Sequence, residues 1–346
     1  MTEPLGPKGN AATAKVSSPL EAWELYFTEE MLQNIVLHTN EEISRRRLNE
    51  QNLRKYHSLT DEAEIRAFTG LLYIAEADKS GRVDTADLWC TKRGHPMVRV
   101  TMTRNRFNFL TSTLRFDDKE TRSERRANDR LAPIRELRSE FISRCTANCS
   151  PSEHTAIDKQ LLAFRGRCIF RMYIPSKPGK YGLKSVTFND AKTFYLINAM
   201  PYIGKLDIDK GESAREYYVR TLTSSIHNTG RNTTVDNWFT SVRLFDDMLK
   251  THRCTMVGTI RKNKRELPAE FLKPHEAETS QFAFDENKTL VAYYPKKGKV
   301  VKLLSTMHYD DTVDPETNKP EILMFYNKTK GSTDTFDQLC TTYSTA

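Results

Sequence analysis

The sequence predicts a mixed α/β fold that is helical in its first part and strand-rich in its second. Three observations carry this. From about residue 19 to residue 150 apolar residues recur at three- and four-residue spacings, the period of a helix face. After Cys149 the texture changes to short β-type runs bounded by Pro and Gly. With 346 residues, 38% of them hydrophobic, the chain is long enough and apolar enough to bury more than one core.

Residues 1–18 are rich in Gly, Pro, Ala, Ser and Thr without apolar periodicity, which describes a flexible tail. Order is expected from Pro19. Trp23, Tyr26 and Phe27, then Met31, Ile35 and Val36, then Ile65, Phe68, Leu71 and Leu72 keep the helical period. Phe107, Leu110 and Leu114 share one face, as do Leu131, Ile134, Leu137 and Phe141. The same stretch carries many arginines interleaved with acids such as Glu124 and Asp129, so a salt-bridged solvated face accounts for much of it.

In the second part, HTAID, CIFRMYI, SVTFN, TFYLINAM and NTTVD read as strands, and PSKPGKYG between them reads as a turn. A helix with Val242, Phe245 and Leu249 on one face follows NTTVD, and TMVGTI resumes the strand pattern. From about Arg261 to Pro320 polar loops alternate with TLVAYY and VVKLLST, a small strand-rich insertion. ILMFYN reads as a core strand, and GSTDTFDQL as a helix start with Ser332 and Thr333 as caps.

Charge narrows the partners. The 53 Lys and Arg exceed the 45 Asp and Glu, a net charge of +8 that favours an anionic partner such as nucleic acid. No apolar run reaches the ~18 residues needed to cross a bilayer, and the N-terminus lacks a signal peptide's apolar core, which predicts an intracellular protein without a membrane partner. The six cysteines are then reduced thiols. Cys145 and Cys149 have no second Cys/His pair at finger spacing, so no zinc is expected.

Four acids stand where chemistry is often displayed. Ile157 is apolar, so Asp158 projects to the opposite face of its strand. Asp236 ends a β-type run immediately before a helix, and Asp334 and Asp337 are three apart on one helix face. If they converge, they make an oxygen-rich site for two Mg²⁺ or Mn²⁺ ions. The residues alone leave a second reading open, in which Asp158 caps a turn, Asp236 caps its helix, and Asp334 and Asp337 favour a helix dipole.

The segments TAIDKQLLAFRGRCIFRMYIPSKPGKYGLK, INAMPYIGK, NTTVDNWFTSVRL, MVGTIRKNKRELP and MFYNKTKGSTDTFDQLC, in this order, closely resemble the core of piggyBac transposases. EAWELYFTEEMLQNIV, FTGLLYIA, LWC and RNRFNFLTSTLRFDD extend the resemblance back to about residue 19. It implies an RNase H-like catalytic core (151–262 and 321–346), a small β-rich insertion domain (263–320) and a helical dimerisation and DNA-binding domain (19–150). It also implies Asp158, Asp236 and Asp334 as the catalytic triad, with Asp337 as a fourth metal ligand.

The activity so implied is cut-and-paste transposition at TTAA, with Mg²⁺ or Mn²⁺ as the cofactor. The implied partners are double-stranded DNA and a second copy of the chain, and the implied location is the nucleus. Between Lys159 and Asn189 there is no acid, and Arg165, Arg167, Arg171, Lys177, Lys180 and Lys184 fit a phosphate track beside the first aspartate. Arg261, Lys262, Lys264 and Arg265 add a second basic run, and Lys288, Lys296, Lys297, Lys299 and Lys302 a third.

Three departures from the family pattern stand out. Lys159 occupies a place where the family often has an acid, Ala163 replaces a common glycine, and Ser332 and Thr333 replace small apolar residues. The sequence runs nine residues past Asp337, where the family continues with further helices and commonly a zinc-binding tail. That predicts a C-terminally shortened member, and with it an alternative function: a piggyBac-derived DNA-binding or interaction protein that no longer cuts.

Overall fold

The computed structural model describes residues 4–344 except 81–82, 176, 178, 205–207, 209–210, 263, 265 and 274. Contacts divide the chain into two compact units, one of Lys15–Arg144 with Leu339–Ala346, the other of Met1–Ala14 with Cys145–Gln338. The chain opens with a two-residue strand β1 (Gly6–Pro7) and a one-turn helix α1 (Asn10–Thr13).

The first unit is built of helices: α2 (Pro19–Glu24), α3 (Glu29–Leu48), α4 (Glu62–Ala77), α5 (Thr85–Leu88), α6 (Pro96–Thr101), α7 (Arg104–Thr113) and α8 (Arg122–Asn128), with α9 (Arg135–Asn148) leading out of it. Side-chain caps set the starts of several of them. Ser18, Thr28, Asp61 and Thr103 each accept the backbone N–H three residues on, satisfying a donor the helix cannot. Ile43, Phe68, Leu71, Val98, Phe107 and Leu110 form one core, while Leu32, Ile35 and Ile65 form a second. Among the arginines, Arg106 is buried on Glu64, Arg122 and Arg125 pair with buried Asp117, and Arg135 pairs with Asp129. Salt bridging thus accounts for these, as expected.

The second unit is a nine-stranded mixed sheet plus a short strand β2 (Cys149–Ser150) that pairs with β1. Its strands are β3 (His154–Ala163), β4 (Met172–Tyr173), β5 (Tyr181–Asp190), β6 (Leu196–Pro201), β7 (Asn232–Val235), β8 (Thr255–Thr259), β9 (Thr279–Asp285), β10 (Lys288–Lys296) and β11 (Lys299–Ser305). The order is β4-β5-β3-β7-β8-β11-β10-β9, with β6 also on β5. The β3–β7 and β7–β8 pairs are parallel and the others antiparallel.

Helices α10 (Ala214–Leu222) and α11 (Val242–Lys250) share one core with the sheet, through Ile157, Val186, Phe188, Val235, Met256 and Leu304. Helix α12 (Glu321–Thr329) shares another through Val257, Val291 and Leu303. Neighbours Met256 and Val257, like Leu303 and Leu304, belong to different cores because successive strand side chains point to opposite faces. A last helix, α13 (Ser332–Thr342), follows α12 after two residues.

The mixed α/β class is as expected, and several elements differ from their sequence reading. ILMFYN is not a strand but most of α12, because Ile322, Leu323 and Tyr326, at helical spacing, pack on the sheet. A short apolar run does not distinguish the two. CIFRMYI supplies only the two-residue strand β4. The segment 1–18, expected as a flexible tail, carries β1 and α1, with Lys8 N donating to Asn148 O at 2.9 Å. In the segment expected as an insertion, β9–β11 lengthen the same sheet through the β11–β8 pair. Ser332 and Thr333 are buried rather than capping, and Thr333 donates to Asn189 Oδ1 at 3.2 Å.

Candidate active site

Strands β3 and β7 run side by side in register from His154 opposite Asn232 to Ile157 opposite Val235, so Asp158, midway along β3, and Asp236, the first residue past the end of β7, are the next residues along. Ile157 and Val235 are fully buried in the core under α10 and α11. Alternation sends Asp158 to the other face, with Gln160 two residues on. Gln160 bonds Asp337, which brings α13 to that same face. Thr234 and Thr329 hydroxyls at 2.7 Å fasten α12 to β7.

Asp236 closes a turn. Its Oδ1 accepts the N–H of Trp238 at 2.9 Å, and its carbonyl accepts the Thr240 hydroxyl at 3.0 Å. Ser241, not Asp236, is the N-cap of α11. The other oxygen, Oδ2, accepts Lys159 Nζ at 2.8 Å.

The electrostatics mark one neighbourhood. Burial raises the Asp158 carboxyl above its ordinary range, and the charge of Asp236 raises it further, outweighing the Lys159 N–H bond and the charges of Lys159 and Lys177. Asp337 is raised by burial too, against its Gln160 bond and the charge of Lys177, with Asp334 adding to the rise. Tyr326 is raised by burial first, a bond with Thr259 opposing; the charges of Asp236, Asp158 and Asp334 add to the rise. Three of the four acids therefore act on one phenol.

Asp158 and Asp337 offer carboxylate oxygens, the donors a hard divalent cation takes, and burial and a neighbouring acid penalise the charge of each. As they stand, no three His, Cys, Asp or Glu among the described residues are close enough together to hold an ion. Asp236 leaves β7 beside the Asp158 position of β3, but it is engaged by its turn and by Lys159.

A family model described as Transposase IS4 matches residues 18–346. The fold is similar to that of a piggyBac transposase solved by cryo-EM as a synaptic complex with hairpin DNA, with a TM-score of 0.93 and 42% identity, over 99% of this chain and 71% of that one. The chain belongs to the piggyBac transposase family.

In this piggyBac-family chain the basic residues named from sequence divide by surroundings. Arg165, Arg167 and Lys180 are exposed, and Arg171 donates to the carbonyls of Arg165 (2.7 Å) and Gly166 (3.0 Å) while lying over the Tyr181 ring. Lys177 acts on both Asp158 and Asp337. Lys184 is half-buried over the Tyr202 ring, its pKa lowered by burial and then by Lys159. Arg261 donates to Asn237 Oδ1 at 3.3 Å, Lys264 is half-buried, and Arg265 lies outside the described residues.

Of the third basic run, Lys288 is paired with Asp246 and Asp285 and Lys302 is buried, which removes both from a phosphate-binding surface. Lys296, Lys297 and Lys299 remain exposed. Sequence reasoning missed Gln160 and Tyr326. The two-residue strand period would have placed Gln160 beside Asp158, whereas Tyr326 was hidden by reading α12 as a strand.

No helix among the described residues is long and apolar enough to cross a membrane.

Proposed function

We propose that this chain carries the catalytic core of a DDD-type cut-and-paste DNA transposase that acts on double-stranded element ends and on TTAA targets. The observation that supports this most is the β3–β7 register, which carries Asp158 and Asp236 one residue past the paired Ile157 and Val235, with α13 bringing Asp337 to the Asp158 face. Asp158, Asp236 and Asp334 would hold two Mg²⁺ or Mn²⁺ ions, with Asp337 supporting them. Bound there, the ions would activate a water or 3′-hydroxyl and stabilise the leaving oxygen of a phosphodiester.

The protein's own residues supply the rest. Gln160 orients Asp337, the Trp238 N–H fixes one oxygen of Asp236, and Arg165, Arg167 and Lys180 offer phosphate contacts that position the strand. A nuclear location and a dimer that brings two element ends together belong to the same proposal. The printed partner of the similar solved structure, hairpin DNA, supports DNA as the substrate class.

A second reading, a DNA-binding protein that no longer cuts, is favoured by the Lys159–Asp236 ion pair, which neutralises one of the acids. Mn²⁺-dependent cleavage of DNA bearing the cognate ends separates the two. Cleavage by this chain that is lost in Asp158→Asn and Asp236→Asn supports the transposase; DNA binding without cleavage, unchanged by either substitution, supports the second reading.

A further inference from the structure

Lys159 follows Asp158 directly on β3, so its side chain leaves the opposite face of the strand. There it is enclosed by three partners: Asp236 Oδ2 at 2.8 Å, the Trp238 ring at 4.9 Å and the Phe239 ring at 4.9 Å. The ammonium has a counter-charge and two aromatic faces, a well-matched seat for a cation. Neither end is loosely held, since the lysine side chain is 22% and the Asp236 side chain 32% exposed.

The seat fixes Asp236 at both oxygens. Oδ1 is taken by the Trp238 N–H of its own turn and Oδ2 by Lys159, so both carboxylate oxygens are engaged. A dication on Oδ2 would stand within about 4–5 Å of the ammonium, where like charges at a partly buried site repel strongly and salt screens little. Both cannot occupy this oxygen at full affinity.

We infer that Lys159 is a built-in counter-ion on Asp236 which a divalent cation must displace to load the site. This rests on the reading of Asp236 as a metal ligand given above. It carries a further consequence. Once displaced, the ammonium needs a new anion, and a DNA phosphate is the one the reaction brings. DNA and metal therefore load the site cooperatively, each favouring the state in which Lys159 has left Asp236.

The test is a Mn²⁺ titration of the full 346-residue chain, followed by the electron paramagnetic signal of free Mn²⁺, with and without duplex DNA. Lys159→Gln is expected to bind Mn²⁺ at least ~10-fold more tightly than the unaltered chain, and Lys159→Arg to bind it as the unaltered chain does. DNA should tighten Mn²⁺ binding by the unaltered chain and do so several-fold less in Lys159→Gln. Lys159→Met, which keeps an apolar stem against the two rings, is the second variant should the glutamine disturb packing.

Equal Mn²⁺ affinity in Lys159→Gln, Lys159→Met and the unaltered chain, all melting cooperatively, would make the contact an ordinary structural ion pair and overturn the inference. Asp236→Asn separates the two claims. If it abolishes Mn²⁺ binding while Lys159→Gln leaves it unchanged, the metal site stands and the counter-ion role fails. If Asp236→Asn leaves Mn²⁺ binding unchanged, the metal reading of Asp236 fails and this inference with it.

Discussion

Gly258 sits on β8 opposite Val235, the residue immediately before Asp236, and an added Cβ there would lie 2.5 Å from Thr240 Oγ1, 2.7 Å from Val235 Cγ2 and 3.0 Å from Val235 O. Thr240 Oγ1 is the group that closes the Asp236 turn. Gly258→Ala must therefore push β7 and that turn away from β8. Overpacking of this kind costs about 2 kcal/mol, which in a unit of roughly 200 residues lowers Tm by roughly 6 °C.

The damage falls on the site as well, because Asp236 is displaced with the turn. Thermal melting followed by circular dichroism, with and without Mn²⁺, reads both effects: the variant should melt several degrees lower and lose any rise in midpoint that Mn²⁺ gives the unaltered chain. Thr240→Ala added to Gly258→Ala removes the closest clash and should recover about 1 kcal/mol relative to additivity. A Gly258→Ala protein with unchanged midpoint and intact Mn²⁺ response would refute this account of the Asp236 turn.

Three further outcomes are expected. His227, stacked on His252 at 3.9 Å, has its pKa lowered to about 4, by burial first and by the charge of His252 second. Its unfolded value is near 6.5, so its contribution is fully present above pH 6.5 and lost as pH falls toward 4; after allowance for partial exposure this amounts to about 2 kcal/mol. Urea denaturation at pH 7 and pH 4.5 should show that loss, and His227→Gln should flatten it. Phe245, fully buried between α11 and the sheet, should cost about 3–5 kcal/mol as Phe245→Ala in the same assay, and a cost under 1 kcal/mol would contradict the packing. Arg165→Ala with Arg167→Ala should weaken DNA binding to all sequences alike and reduce the slope of log K against log salt by about 2, whereas an unchanged slope would place these two side chains off the DNA.

The helical first part was legible because its apolar faces and caps are local: Ser18, Thr28, Asp61 and Thr103 announce their helices within three residues. The strands were legible where β-branched and apolar residues cluster between turn residues, as in β3 and β7. Helix α12 was not, since five apolar residues in a row fit either period and only packing on Val257 and Leu303 decides.

For the site, local pattern picked out all four acids and gave the face of Asp158, and family resemblance chose between a metal centre and ordinary capping roles for them. The grip of Lys159 on Asp236 was invisible. It joins residues 77 apart in sequence through the β3–β7 pairing, and no local pattern encodes which way a long lysine stem turns. Lys288 shows the same limit: it reads as free positive charge in the sequence but is neutralised by Asp246 from α11.

In the proposed function, Asp158, Asp236 and Asp334, with Asp337, would form one two-metal centre for DNA cleavage. Anomalous scattering from crystals of the chain with duplex DNA and Mn²⁺ tests it most directly. Two Mn²⁺ peaks among these carboxylates, with Lys159 turned away from Asp236, are predicted. Mn²⁺ bound elsewhere, or Lys159 still seated on Asp236 beside fully occupied DNA, would contradict it.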